Sequence, residues 1–251
     1  MSTTRTVTAI SACMLLAIGT AEAEFVGLNI GANPATAAYP GAFSNNSSSI
    51  DLVDDLDADS SARSSMVLIL EHPIPVLPNV RYRGYNLDSS DNSGLNSDIG
   101  LNGGMLEAAG NGNSAFDLDH EDIVLYYQLL NNWIDLDMGV DLKRFDGQIS
   151  QTGDGGSVSV DETIPLLYLS ARIDLPVNGM YLGAKINANV VDLGISESTA
   201  QDSTFLLGYQ SGTGLGIEGG IKYFSLELND ADNLDSDFEY DGLFLNGYIN
   251  F

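Results

Sequence analysis

The stretch Asp241-Gly242-Leu243-Phe244-Leu245-Asn246-Gly247-Tyr248-Ile249-Asn250-Phe251 decides how the rest of the chain is to be understood. Side chains on a β-strand alternate between two faces with a period of two residues. Positions 243, 245, 247, 249 and 251 are Leu, Leu, Gly, Ile and Phe, and the positions between them are Phe, Asn, Tyr and Asn. One face is therefore greasy, the other is mixed and mostly polar, and the sequence stops on an aromatic. A strand of this kind belongs either to one layer of a soluble β-sandwich or to a sheet whose outer face meets an apolar medium. The other segments have to separate the two.

The 251 residues are 44% hydrophobic and only 18% charged, with 27 Gly, which suits one large all-β domain. With 35 acidic against 9 basic residues the net charge is -26, so nucleic acid is excluded as a partner. The N-terminus has the pattern of an export signal over residues 1–23. Arg5 stands in a polar start, Cys13-Met14-Leu15-Leu16-Ala17-Ile18 is the apolar run, and Ala21-Glu22-Ala23 is a small-x-small cleavage site that makes Glu24 the first mature residue. Ile10-Ser11-Ala12-Cys13 has some likeness to a lipid-attachment box, although most of the apolar run follows Cys13 instead of preceding it. Cys13 is the single cysteine, so a mature domain over 24–251 has neither disulfide nor thiolate chemistry. The longest clean apolar run after the signal is Met66-Val67-Leu68-Ile69-Leu70, far short of the roughly 18–20 residues of a membrane helix. If residues 24–251 cross a membrane, a closed β-barrel is the form that satisfies every backbone group.

Alternation of this kind recurs along the chain. Strands are expected over 24–31, 64–71, 80–86, 121–130, 133–145, 163–175, 180–191, 203–210 and 215–226, followed by the closing strand. The cleanest is 133–145, in which Ile134, Leu136, Met138, Val140 and Leu142 oppose Asp135, Asp137, Gly139, Asp141 and Lys143. Short connections are expected at the Pro73–Pro78 segment, where three prolines block ladder pairing, at Asn131-Asn132, at 176–179 and at 211–214. Long Ser-, Asn-, Gly- and Asp-rich connections are expected between them, at 32–60, 88–115, 146–159, 192–202 and 229–237. An even strand number with alternating short and long connections is the pattern of a transmembrane antiparallel up-and-down β-barrel. Ten strands are expected, or eight if the short strands at 24–31 or 203–210 fail to pair.

In these features the chain resembles a family of uncharacterised Gram-negative outer-membrane β-barrel proteins with a Gly-Gly pair near the C-terminus. The matching pieces are Leu70-Glu71-His72-Pro73-Ile74-Pro75-Val76-Leu77-Pro78-Asn79-Val80, Gly216-Ile217-Glu218-Gly219-Gly220-Ile221-Lys222-Tyr223 and the terminal Phe251. The resemblance implies an outer-membrane location, lipid and lipopolysaccharide as surroundings, and Phe251 as the signal read by the barrel-assembly machinery. It implies no activity.

The few cations share one pleat parity. Arg81, Arg83, Lys143, Arg172, Lys185 and Lys222 all fall on the face opposite the greasy one, together with Asp135, Asp137, Asp141, Asp174 and Glu218. Charge avoids lipid, where Arg or Lys at mid-depth costs about 2–4 kcal/mol. The same parity predicts a charge network inside the barrel, which in a barrel of this size fills the lumen with side chains. Two acidic clusters, Asp51, Asp54, Asp55, Asp57, Asp59 and Asp230, Asp232, Asp235, Asp237, are oxygen-rich enough to admit Ca²⁺, although neither has EF-hand spacing. A solvated acidic face is the simpler account, and no other cofactor is expected. His72 abuts the Pro-rich turn and is expected to be structural. His120, in Asp117-Leu118-Asp119-His120-Glu121-Asp122, is the one candidate imidazole base, since ten-stranded outer-membrane proteases use Asp/His pairs at the rim. The expectation is a non-enzymatic outer-membrane barrel serving envelope integrity or surface interaction. A narrow gated pore and a surface hydrolase are the alternatives.

Overall fold

The computed structural model describes residues 26–33, 41–44, 49–51, 63–74, 76–85, 88–89, 99–101, 104–106, 114–151, 157–189, 198–231 and 234–250. The export signal, Phe251, Asp232 and most of the first acidic cluster lie outside them. Among the described residues the chain is all β, with strands β1 (Val26–Asn33), β2 (Gly41–Ser44), β3 (Ser49–Asp51), β4 (Arg63–Leu70), β5 (Asn79–Tyr85), β6 (Asp88–Ser89), β7 (Ile99–Leu101), β8 (Gly104–Leu106), β9 (Ser114–Asn131), β10 (Ile134–Gln151), β11 (Ser157–Asp174), β12 (Met180–Ala188), β13 (Thr199–Gln210), β14 (Leu215–Ala231) and β15 (Leu234–Asn250). No helix is long and apolar enough to cross a membrane.

One antiparallel sheet runs up and down in the order β1-β4-β5-β9-β10-β11-β12-β13-β14-β15. β1 also pairs with β15, from Gly27↔Asn250 to Ala32↔Leu245, so the first and last wall strands meet. This is a single curled sheet, not the two packed layers of a sandwich. Short turns gather at one end: residues 71–78, 132–133, 175–179 and 211–214. His72 staples the Pro-rich one, with Nδ1 accepting from the Ile74 N–H at 3.3 Å and Nε2–H donating to the Pro78 carbonyl at 3.1 Å.

The strands reach further toward the other end than the hydrophobic pattern predicts. β9 begins at Ser114 instead of 121, β10 runs on to Gln151, β11 begins at Ser157, and β14 and β15 meet across residues 232–233. The expected loops 146–159 and 229–237 are thus mostly ladder, and the last is a tight hairpin, not a long loop. The turn expected at Asn131-Asn132 falls at Asn132 and Trp133. Short strands also occupy the expected loops 32–60 and 88–115, where β2 pairs with the far end of β15 and β6 with β9. The reason is physical. A ladder is made by backbone groups and does not depend on which side chains it carries, so pairing continues where the period-two hydrophobic signal has vanished.

The two faces differ sharply. Ile123, Leu125, Met138, Val140, Leu142, Leu167, Leu182, Ile186, Phe205, Leu207, Ile217, Ile221, Leu243 and Leu245 are all exposed, on consecutive strands and at alternate positions. The opposite face is buried: Val124, Tyr126, Phe145, Ile164, Leu166, Tyr168, Tyr181, Leu206, Phe224, Phe244 and Tyr248. The core is the inside of the curled sheet. Phe244 and Tyr248, from the mixed face of the closing strand, pack there with Tyr181 and Leu206. Two glycines make room for the rings: a Cβ at Gly208 would overlap Tyr181, and one at Gly216 would overlap Tyr248.

Candidate functional site

Arg83 (β5), Asp122 (β9) and Lys143 (β10) stand side by side because the ladder registers align Arg83↔Asp122 and Asp122↔Lys143. All three point inward, on the parity opposite Ile123 and Leu142. From the other arc of the sheet come Asp202 (β13) and Lys222 (β14). Lys143 Nζ donates to Asp122 Oδ1 at 2.5 Å and lies 4.0 Å from Asp202 Oδ2. Asp202 Oδ2 is also 3.2 Å from Lys222 Nζ and 3.7 Å from Arg83 Nη1, which is 3.9 Å from Asp122. Relative side-chain exposure is 0% for Lys143, 1% for Asp122 and 3% for Asp202, so this cross-strut is sealed from solvent. Tyr85 knits it further, its hydroxyl accepting from Lys222 Nζ at 2.7 Å and Arg83 Nη1 at 2.6 Å. Beside it Asp141, fully buried, accepts from Asn187 Nδ2 at 2.6 Å.

An aromatic layer covers the strut toward the long-connection end. His120 stacks on Tyr85 with centroids 4.5 Å apart and lies 5.2 Å from Phe145 and 5.9 Å from Phe224. Both His120 ring nitrogens are buried and make no hydrogen bond. The residue expected as a base at the rim is half-buried in a ring stack and borders a cavity of about 580 Å³ shared with Asp119, Glu121, Arg144 and Asp146. Lys143 Nζ closes the contact between layers, 5.5 Å from the Phe224 centroid.

Below the strut, toward the short turns, Arg81 packs beside the rings of both Tyr126 and Tyr168 and donates from Nη1 to the Tyr168 hydroxyl at 2.5 Å. Lys185 pairs with Glu218 at 3.8 Å, and Glu218 accepts from Tyr181 and Asn246 at 3.1 Å each. The interior then opens into a polar cavity of about 720 Å³ that reaches the turns, walled by Glu71, Asp135, Asp137, Arg172, Asp174 and Gln210 among others. Arg172 lies over the Tyr181 ring, 3.8 Å from its centroid, and is bound by Asp174 at 3.1 Å, with Asp135 at 3.9 Å.

The predicted residues thus fall in two groups. Arg83, Lys143 and Lys222 meet in the buried strut with Asp141 beside them, while Arg81, Lys185, Glu218, Asp137, Asp135, Arg172 and Asp174 line the space beneath it. Asp122, Asp202 and Tyr85 were not singled out by the sequence, yet they hold the strut together. Parity alone would have found Asp122, which alternates with Ile123, whereas Asp202 escaped because its strand was expected to begin at 203 and begins at Thr199. Asp230, Asp235 and Asp237 sit on β14 and β15, not in a loop, and among the described residues no three His, Cys, Asp or Glu side chains are grouped to hold a metal.

No protein-family model matches the sequence, and no curated protein does. The structure is similar to the outer membrane protease OmpT from Escherichia coli, with a TM-score of 0.51 and 9% identity, over 90% of this chain and 97% of that one. At that identity the likeness concerns the fold: an antiparallel up-and-down outer-membrane-type β-barrel architecture.

Proposed function

We propose that the chain is a ten-stranded transmembrane β-barrel of the bacterial outer membrane whose lumen is closed by its own side chains. It serves as a non-enzymatic, non-conducting envelope protein that presents an acidic surface at its long-connection end. The observation that carries the closed lumen is the bridge from Arg83 and Lys143 on one arc of the sheet to Asp202 on the other, at 3.7 and 4.0 Å, with Lys143 0% and Asp202 3% exposed. Two further features support the membrane reading: the exposed apolar girdle on consecutive strands, and the likeness in fold to an outer-membrane barrel. On this reading the short turns face the periplasm, lipid and lipopolysaccharide surround the girdle, Phe251 is the assembly signal, and the Gly219-Gly220 family is the natural home of the sequence.

Planar-bilayer recording of the purified, refolded barrel tests it. No steady conductance is expected from the native chain, whereas Lys143→Ala should show intermittent openings. Steady conductance of the native chain would overturn the closed lumen. Peptide and phospholipid hydrolysis assays test the absence of catalysis. The buried, unbonded ring nitrogens of His120 support the non-enzymatic reading. Turnover by the native chain that is lost in His120→Ala would reverse that conclusion.

A further inference from the structure

Between the strut and the turn-end cavity lies a second, smaller space of about 60 Å³. Four cations, Arg81, Arg83, Lys185 and Lys222, border it, and Glu218 is the one carboxylate in its wall. Asp122 and Asp202, which balance Arg83 and Lys222, belong to the strut and do not line it. The space is therefore far more positive than the chain as a whole, whose net charge is -26.

Arg81 is the unusual member. It is 6% exposed, yet among the described residues it makes no ion pair within 4.0 Å, unlike Arg83, Lys143, Arg172, Lys185 and Lys222. Its Nε–H is buried and without a partner, while Nη1 is used by Tyr168. Tyrosine faces attract a guanidinium but leave its N–H groups unsatisfied. Asp137 offsets this charge only from beyond that distance, so a negative oxygen brought against the guanidinium lowers the cost of burying it. A water molecule needs roughly 10–15 Å³ of such space, so the cavity has room for a small polyatomic ion.

We propose that this cavity is a binding site for a small oxyanion of the phosphate or carboxylate class, held by the Arg81 guanidinium with Lys185 and Lys222 around it. The ion enters from the turn-end cavity, which shares Arg81, Lys185 and Glu218 with the smaller one. Arginine suits the task because its planar fork presents donors directly to an oxyanion. The site depends on the inward-facing wall alone, so it stands whether or not the barrel conducts.

Isothermal titration of the purified full-length barrel in nonionic detergent, with inorganic phosphate and separately with acetate at constant ionic strength, tests it. The expected result is saturable one-to-one binding of at least one of the two. It should weaken at least tenfold in Arg81→Gln and stay unchanged in Arg144→Gln, a cation exposed to solvent away from the cavity. If Arg81→Gln does not fold, Arg81→Lys keeps the charge but removes the Nε–H, and a several-fold loss is expected. Absence of saturable binding, or equal affinity in the native, Arg81→Gln and Arg81→Lys chains, would show that water fills the space and would overturn the site.

Discussion

Replacing Lys143 by Met keeps most of the side-chain volume and removes the charge at the centre of the strut. Asp122, 1% exposed, then loses its hydrogen bond and keeps only Arg83 at 3.9 Å. Asp202 fares better, because Lys222 at 3.2 Å and Arg83 at 3.7 Å remain. Removing one partner of a buried ion pair costs about 3–5 kcal/mol, and Asp122 is the carboxylate left exposed to that penalty. Asp122→Asn in turn leaves Lys143 with Asp202 at 4.0 Å and costs about the same. In the double variant neither charge is stranded, so its cost should fall below the sum of the single costs by about 2 kcal/mol or more. Reversible urea unfolding in phospholipid vesicles, followed by far-UV circular dichroism and the fluorescence of the single Trp133, measures all four corners of the cycle. Single costs under about 1 kcal/mol, or strict additivity, would refute the claim that the strut is desolvated and coupled.

Arg144 forms ion pairs too, with Glu121, Asp146 and Asp161 at 3.7–3.9 Å, but it is 47% exposed, so Arg144→Ala should cost under about 1 kcal/mol in the same assay. Arg172, partly open to the turn-end cavity, should fall between the two, with its stacking on Tyr181 contributing as much as its charge. Gly208→Ala places a methyl group into the Tyr181 ring and should destabilise by about 1–3 kcal/mol, whereas Gly212→Ala, with open space around it, should cost far less. Leu125→Arg, on the exposed girdle, should cost about 2–4 kcal/mol in a bilayer and much less in a detergent that deforms around it, a contrast that tests the lipid-facing assignment directly.

Much of this molecule is legible in its sequence. Alternation with a period of two is a property of each strand alone, so it showed which residues share a face before any pairing was known: Leu243 and Leu245 against Phe244 and Tyr248, Met138 and Val140 against Asp141 and Lys143. Turn residues at Pro73–Pro78 and 211–214 marked one end of the sheet for the same local reason. The tertiary structure decided the partners. Lys143 meets Asp122 through the lateral register of β9 and β10, and meets Asp202 only because the sheet curls until β13 faces β10 across the interior. Neither distance is encoded within a strand; both depend on register, strand tilt and curvature summed around the sheet. The same non-local geometry leaves Arg81 among tyrosines with no carboxylate within 4.0 Å among the described residues, and it carries β10, β11, β14 and β15 past the apolar girdle, where backbone pairing persists after hydrophobic alternation has ceased to report it.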